Sequence, residues 1–435
     1  MSPAELVALL VCDLGAVVRG RAVFATELAE HLEQGVGWVP ANMALTPLGP
    51  LAEPNPFGST GDLRLIPDAS THARVGGEPG RSPLELVLCD LVDTDGEPWE
   101  CCPRAFLRAA LADLEERTGA RLLASFEHEF QLPGEGRSEL PFSLAALRAA
   151  EPFATATMDA LVEAGVEPER FFAEFAERQF EIPVAPAVGV EAADRAVVLR
   201  EVVREVARRC GVRASFAPLL DPAEAGNGVH IHLSLVAEDG RPLFYDAEQP
   251  GSLSALGASF AAGVLAHAGA LSALSAPSPV SAERLRPHHW SAGAACLGEQ
   301  NREALLRIPP LHAGAEAAAQ MRLEYRGADA SANPHLALGA IVRAGLEGVE
   351  AELPAPPLLR CDPSTLSREE AERFGVGKLP ESLEQALASL AADERAREWL
   401  GTGLYEAFTS LKRAELAATA GLGLEERCAR YAEVY

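Results

Sequence analysis

The stretch from Gly226 to Leu235, GNGVHIHLSL, sets His230, His232 and Ser234 in alternation with Val229, Ile231, Leu233 and Leu235. A strand sends successive side chains to opposite faces, so two imidazoles and a hydroxyl share one face and four aliphatic chains take the other. Gly226 and Gly228 ahead of it permit the backbone to approach another group closely, as a phosphate or nucleotide needs. Two further segments carry carboxylates. In Phe126-Glu127-His128-Glu129-Phe130 the glutamates fall on one face of a strand, where they repel each other unless a cation lies between them or one keeps a proton. Glu174 and Glu181 form a second pair. A hairpin turning at Glu177-Arg178, with 176 opposite 179, sets Glu174 directly across from Glu181, although the turn lacks the Gly or Asn that a two-residue hairpin prefers. Arg322-Leu323-Glu324-Tyr325-Arg326 alternates as well, and Arg284, Arg286, His288, His289, Arg302 and Arg307 gather in a short span. Arginine concentrated in an otherwise acidic chain points to an anion such as phosphate or carboxylate.

These segments need a large scaffold, and the chain supplies one. Its 435 residues, 48% apolar and 23% charged, describe a soluble globular protein of two domains, one of them big. A formal net charge of -26, from 63 acidic and 37 basic residues, opposes nucleic acid and anionic membranes as partners. Eight scattered cysteines without a Cys-x-x-Cys spacing read as reduced thiols of a cytoplasmic protein. Leu6 to Cys12, cut short by Asp13, lacks the features of a signal peptide. Gly251 to Val280 carries no charged residue, but its Ala, Ser and Gly content and its prolines 277 and 279 predict buried helix rather than a bilayer span.

In chain order, Leu6–Cys12 predicts a strand, Ala22–Leu32 a short helix, the Pro/Gly-rich run 40–61 a loop, and Leu63–Ile66 and Leu84–Leu88 further strands. The character changes near residue 100, where we place the boundary between a small strand-rich domain (1–100) and a larger one (101–435). Beyond it the pattern predicts helices over Pro103–Arg117, Leu144–Ala164 and Asp194–Arg209, the last ended by Gly211. Strands are predicted over Leu122–Leu132, Phe171–Ile182, the histidine stretch, Ala294–Ile308 and Arg322–Arg326, with helices to the C-terminus.

In this order, FEHEF, Glu174 with Gln179-Phe180-Glu181, GNGVHIHLSL, Asn301-Arg302 with Arg307-Ile308-Pro309, and RLEYRGADASANPHLALGA resemble the glutamine synthetase family. The resemblance implies an α+β protein: a small N-terminal β-grasp domain and a catalytic domain with a curved antiparallel sheet flanked by helices. It also implies a homo-oligomer of stacked rings with each site between subunits. By the same resemblance Glu129, Glu174 and Glu181 hold one divalent ion and Glu127, His230 and Glu324 a second. The expected cofactors are ATP and two to three Mg²⁺ or Mn²⁺ ions per site, which suit carboxylate-rich donors. His232, Ser234, Arg307 and Arg322 match ATP-binding positions, while Arg284, Arg302 and Arg326, with Gly226, match those that hold glutamate or the transferring phosphoryl group. The implied reaction is phosphorylation of the γ-carboxylate of glutamate by ATP, followed by displacement of phosphate by an amine.

The chain departs from ammonia-using members of that family where ammonium is held. Their loop after Arg-Leu-x-Pro carries an acidic residue, and here Arg284-Leu285-Arg286-Pro287-His288-His289-Trp290 puts Trp290 in its place. Their N-terminal domain supplies an aspartate, and this chain has none between Glu33 and Gly61. Ala225 stands for an asparagine, and Glu177-Arg178 for a Pro-Gly turn. A small cation needs fixed negative charge, whereas an organic amine gains from apolar burial, about 25 cal/mol per Å². The expectation is therefore a γ-glutamyl-amide ligase for an organic amine, with Trp290 as an apolar wall and His288 or His289 as the base. Ordinary glutamine synthetase activity, a non-catalytic assembly of the same fold and a zinc hydrolase built on His230-x-His232 are the alternatives.

Overall fold

The computed structural model describes residues 5–77, 81–134, 139–312 and 316–435. Two sheets organise them. The first takes β1 (Leu6–Cys12), β2 (Val18–Phe24), β3 (Val36–Trp38), β4 (Leu63–Pro67), β5 (Ala73–Val75) and β6 (Leu84–Val92), in the order β2-β1-β6-β4-β3 with β5 also on β6. The β1–β6 pair is parallel and the others antiparallel. Val7, Leu9 and Val11 point one way into the core, as period-two alternation requires. Residues 22–24 belong to this sheet and not to the expected helix over Ala22–Leu32, which begins only at Leu28. Asp13 explains the difference: its Oδ1 accepts from the Gly15 and Val17 N–H groups, closing a turn that folds Val18–Phe24 back onto β1.

The second sheet contains β7 (Arg121–Gln131), β8 (Phe172–Ala173), β9 (Gln179–Pro183), β10 (Ala187–Val188), β11 (Val229–Val236), β12 (Ala294–Glu299), β13 (Ala304–Ile308), β14 (Leu323–Ala328) and β15 (Leu358–Leu359). Its order is β15-β12-β13-β14-β11-β7-β9-β8, with β10 on β7. It is antiparallel from β13 to β8 and parallel where β12 meets β13 and β15, so the sheet as a whole is mixed. The histidine strand β11 lies at its centre, buried along its whole length.

Helices Pro103–Thr118 and Glu191–Arg209 pack on this sheet at β7, and Pro334–Glu350 packs on both of them. The predicted Leu144–Ala164 helix is two, Leu144–Ala149 and Phe153–Glu163, because Pro152 removes a donor and disfavours helical geometry just before it. The charge-free segment forms helices Ala255–Ala266 and Ala268–Ser275, bent by 76° at His267, and no single helix among the described residues is long and apolar enough to cross a membrane. It is buried instead. Gly263 meets helix Pro334–Glu350 so closely that a Cβ there would lie 2.1 Å from the Ala344 carbonyl oxygen.

Candidate active site

Register across five strands builds the site. His230 lies opposite Glu127, Glu129 opposite Glu181, and His232 opposite Glu324, while Arg307 on β13 faces Glu324 from the far side. Directly opposed residues in antiparallel pairs share a face, so carboxylates and imidazoles from β9, β7, β11 and β14 stand on one surface of the sheet. A bulge adds one residue to β14 between Tyr325 and Ala328, beside Arg326. The expected hairpin exists with a different register: Phe172, not Glu174, lies opposite Glu181, and the Glu174 N–H donates to Gln179. The slip is two residues, which preserves the face, and Glu174 still reaches the same cavity as Glu181.

Ligand atoms of Glu127, Glu181 and His230 lie within 4.8 Å of one another. His230 Nδ1 is 3.3 Å from Glu127 and 4.0 Å from Glu324, and its Nε2 is 3.8 Å from Glu129. His232 Nε2 lies 3.0 Å from Glu127. Charge is unevenly balanced here. Burial and then the charges of Glu127, Glu129, Glu174 and Glu324 push the Glu181 carboxyl well above its ordinary range. Burial, with Glu129 and Glu127 close by, raises Glu174 to about 7. Glu127 moves the other way: burial opposes its charge, but His232 and His230 hold it well below. Glu324 is also buried, yet Arg326, the two histidines and Arg307 keep it at about 2. Both arginines bind its carboxylate directly. An oxygen-rich donor set with one imidazole, in which burial and like charges oppose ionisation of Glu174 and Glu181, fits a divalent cation.

Two adjoining cavities open from this surface. One, of about 470 Å³, is lined by Glu127, Glu174, Glu181, His230, His232, Arg302, Arg307, Arg322 and Glu324, with Phe171 and Leu147. Arg322 donates to His232 Nδ1 at 3.1 Å. The other, of about 510 Å³, shares Glu174, Glu181, His230, Arg302 and Phe142 with it and adds Glu129, Gly226, Ala225, His288, Trp290, Glu303 and Arg326. The six metal-matched residues therefore border connected space, as do Arg302, Arg307, Arg322, Arg326, His232, Gly226, His288 and Trp290.

Three expected residues lie elsewhere. Ser234 donates its hydroxyl to the Met321 carbonyl and lines neither cavity. His289 also lines neither. Arg284 is buried behind the wall, donating to the Ala328 carbonyl at 2.7 Å. The close approach at the glycines is to this arginine: a Cβ at Gly228 would lie 3.0 Å from its Nη1, and one at Gly226 2.1 Å from the Pro218 carbonyl oxygen. The two glycines thus admit protein groups on that side, where a nucleotide phosphate was expected.

The structure adds residues that the sequence left without a role. Gln179 donates to Glu129 at 3.3 Å and to the Gly226 carbonyl at 2.9 Å, tying β9 to the loop before β11. Its place two residues before Glu181, on the same strand face, was the available signal. Phe142 and Phe175 join Trp290: Phe175 stacks on the indole with centroids 4.8 Å apart, and Phe142 lies 5.8 Å away. All three rings are about half exposed, at the entrance of the second cavity. No periodicity marks residues in such loops. His288 is fixed by Asp362, 2.7 Å from its Nε2, and this bond raises its pKa.

Comparison with known proteins agrees with this geometry. The family model "Glutamine synthetase, catalytic domain" matches residues 100–422 and "Glutamine synthetase N-terminal domain" residues 1–99. The gamma-glutamylpolyamine synthetase GlnA3 of Streptomyces coelicolor is 34% identical over 98% of this chain and 92% of its own. The glutamine synthetase of Methanocaldococcus jannaschii is 30% identical over 81% of this chain and 79% of its own. Among solved structures, one described as a novel glutamine synthase homolog superposes with a TM-score of 0.92 at 46% identity, over 100% of this chain and 99% of that one. Ligand-free GmaS gives 0.82 at 28% identity, over 98% and 96%.

Proposed function

The chain belongs to the glutamine synthetase family and is an ATP-dependent carbon–nitrogen ligase, and we propose that it joins the γ-carboxylate of glutamate to an organic amine. The observation that carries the choice of amine is the wall of Phe142, Phe175 and Trp290 on the cavity beside the carboxylate cluster. Ammonium has no apolar surface to bury against such a wall, while an organic amine gains apolar contact in addition to the cation–π attraction open to any cationic amine. The Streptomyces relative named for polyamines supports the same reading.

The reaction balances in two steps. A γ-carboxylate oxygen attacks the terminal phosphorus of ATP, the bond from that phosphorus to the bridging oxygen breaks, and ADP departs. The amine lone pair then forms a bond to the acyl carbon, the bond to phosphate breaks, and a proton leaves the nitrogen. Glu127, Glu129, Glu174, Glu181, His230 and Glu324 would hold two to three Mg²⁺ or Mn²⁺ ions, which offset phosphate charge. His232, Arg307 and Arg322 bind ATP in the first cavity, with Ser234 bracing β14 behind them. Arg302 and Arg326 orient glutamate and the transferring phosphoryl group, as guanidinium geometry suits. Arg284 acts from behind the wall by positioning the Gly226–Gly228 backbone. His288 is the better placed of the two histidines to take the amine proton, because Asp362 both fixes its ring and strengthens it as a base.

We also assign the 1–100 and 101–435 divisions, a cytoplasmic location and a stacked-ring homo-oligomer to this reading, the last checked by native mass. Phosphate release with ATP, Mg²⁺ and glutamate over a panel of amines tests the function. Organic amines should turn over faster than ammonium, and fastest turnover with ammonium would falsify the proposal.

A further inference from the structure

Glu303 is a carboxylate in a surprising position. It sits in the turn just before β13, one residue after Arg302 in a segment otherwise rich in cations, and is half-buried. Its side chain accepts from the His288 backbone N–H at 3.2 Å, and among the described residues it forms no ion pair. A fixed anion held by one backbone donor is under-neutralised, and it lines the aromatic-walled cavity.

It also lines a third and larger space. A cavity of about 910 Å³ lies between the loop around Arg286 and the segment from Pro363 to Glu381, and Glu303 borders both it and the 510 Å³ cavity. Two of the cations around this larger space are already engaged, Arg286 by Glu283 and Arg368 by Glu372. Glu303 and Glu381 then outnumber Lys378 among the remaining charged groups of its lining, which keeps an acidic excess. Burial orders the groups along the way. Glu181, His230 and Arg326 are deep, and Phe142, Phe175 and Trp290 are at the entrance. Glu303, intermediate in exposure, borders both the second and the third cavity.

Resting on the amine-ligase reading above, we infer that the amine is a diamine or polyamine: Glu303 holds its non-reacting ammonium, and the larger cavity receives the rest of its chain. The chemistry requires the distinction. The attacking nitrogen must be unprotonated, so a monoamine carries no charge for Glu303 to meet once it is poised to react. A diamine keeps its second ammonium throughout. The aromatic rings accept the methylene chain between the two nitrogens and the carboxylate accepts the charge.

The experiment compares putrescine with n-butylamine, a monoamine of the same chain length, and with ammonium, in the wild type, Glu303→Gln and Glu303→Asp. Phosphate release is followed with ATP, Mg²⁺ and glutamate present. The wild type should prefer putrescine to n-butylamine by roughly ten-fold or more in kcat/KM, the scale of one hydrogen bond to a charged group. Glu303→Gln should raise KM for putrescine by roughly ten-fold more than it raises KM for n-butylamine, whatever common change it makes to the two kcat values. Glu303→Asp should recover part of the loss. Equal loss with both amines, or no wild-type preference for putrescine, overturns the assignment of Glu303 and leaves the amine-ligase reading standing. Ammonium turning over fastest in the wild type overturns both. The wild-type comparison decides the substrate class even if neither variant folds.

Discussion

Two clusters of buried charge, built from the same residue types, are neutralised in opposite ways. At the junction of the two sheets, Arg104 donates to Asp194 at 2.9 and 2.8 Å, to Asp90 at 3.0 Å and to Asp68 at 2.8 Å, and His335 lies 2.8 Å from Asp194. Burial opposes the charge on Asp194, but Arg104 and His335 outweigh it and hold the carboxyl at about 2. At the site, burial among like charges pushes Glu174 up to about 7, which Arg302 offsets only in part, and pushes Glu181 well above its ordinary range, while Arg307 and Arg326 are engaged by Glu324. Where charge holds the fold together, the chain supplies its own counter-charge. Where charge serves chemistry, it leaves the counter-charge to come from outside.

The largest effect tests the first half of this contrast. Arg104→Ala takes from buried Asp194 its bidentate partner and leaves it His335 alone, and it should cost about 3–5 kcal/mol of stability, the range for breaking a buried ion pair from one side. The denaturant midpoint reads this, while activity per folded molecule should be unchanged. A loss confined to activity would erase the distinction. Glu181→Gln tests the other half. Phosphate release should fall by roughly 10²–10³-fold, the scale of removing one preorganised charge-stabilising group. The melting-temperature gain on adding Mn²⁺ should shrink. The metal-free variant should melt no lower than the wild type, since burial and the neighbouring carboxylates already oppose the charge that it removes. A metal-free destabilisation as large as that of Arg104→Ala would make Glu181 a structural charge after all.

The same contrast explains what the sequence could reveal. Period-two alternation is local, so Glu127 with Glu129, and His230 with His232, were legible as same-face pairs before any strand was paired with another. Register is not local. The Glu174–Glu181 hairpin is displaced by two residues because the turn from Ala176 to Gln179 takes Arg178 through a φ of +51°, which no Gly or Asn announces. Face parity survives that displacement, and so the functional inference did too. Phe142, Phe175 and Glu303 lie in or beside loops, where side-chain direction depends on tertiary contacts and no period exists to read. Residues 22–24 were misread for a similar reason: the Asp13 turn gives their apolar side chains a strand partner, and pairing overrides helical propensity.

A smaller effect separates the clusters by pH. In metal-free protein the raised carboxyls of Glu174 and Glu181 bind protons more tightly folded than unfolded. Stability should therefore fall as pH rises from about 4.5, the ordinary glutamate value, towards the folded value of about 7 for Glu174, with Glu181, also raised, adding to the same decline. Asp194 behaves oppositely: its contribution is present above its ordinary 3.8 and is lost as pH falls towards about 2. Melting curves in EDTA should thus show a decline on the neutral side that saturating Mn²⁺ removes, and a separate acid decline that Mn²⁺ does not touch. A single acid transition, the same with and without metal, would mean the site carboxylates are neutralised from within.

The smallest effect asks how much of the junction is needed. Asp68 is only partly buried and shares its carboxylate between Arg104 and the more exposed Arg108. Asp68→Asn leaves Arg104 its bidentate bond to Asp194 and its bond to Asp90, so no buried charge is stranded. The cost should stay below about 1 kcal/mol, as for exposed ion pairs, and should diminish further at high salt. The denaturant midpoint against ionic strength measures it. A salt-insensitive loss approaching that of Arg104→Ala would place Asp68 inside the buried network, and the junction would then hold together as one unit with no redundant member.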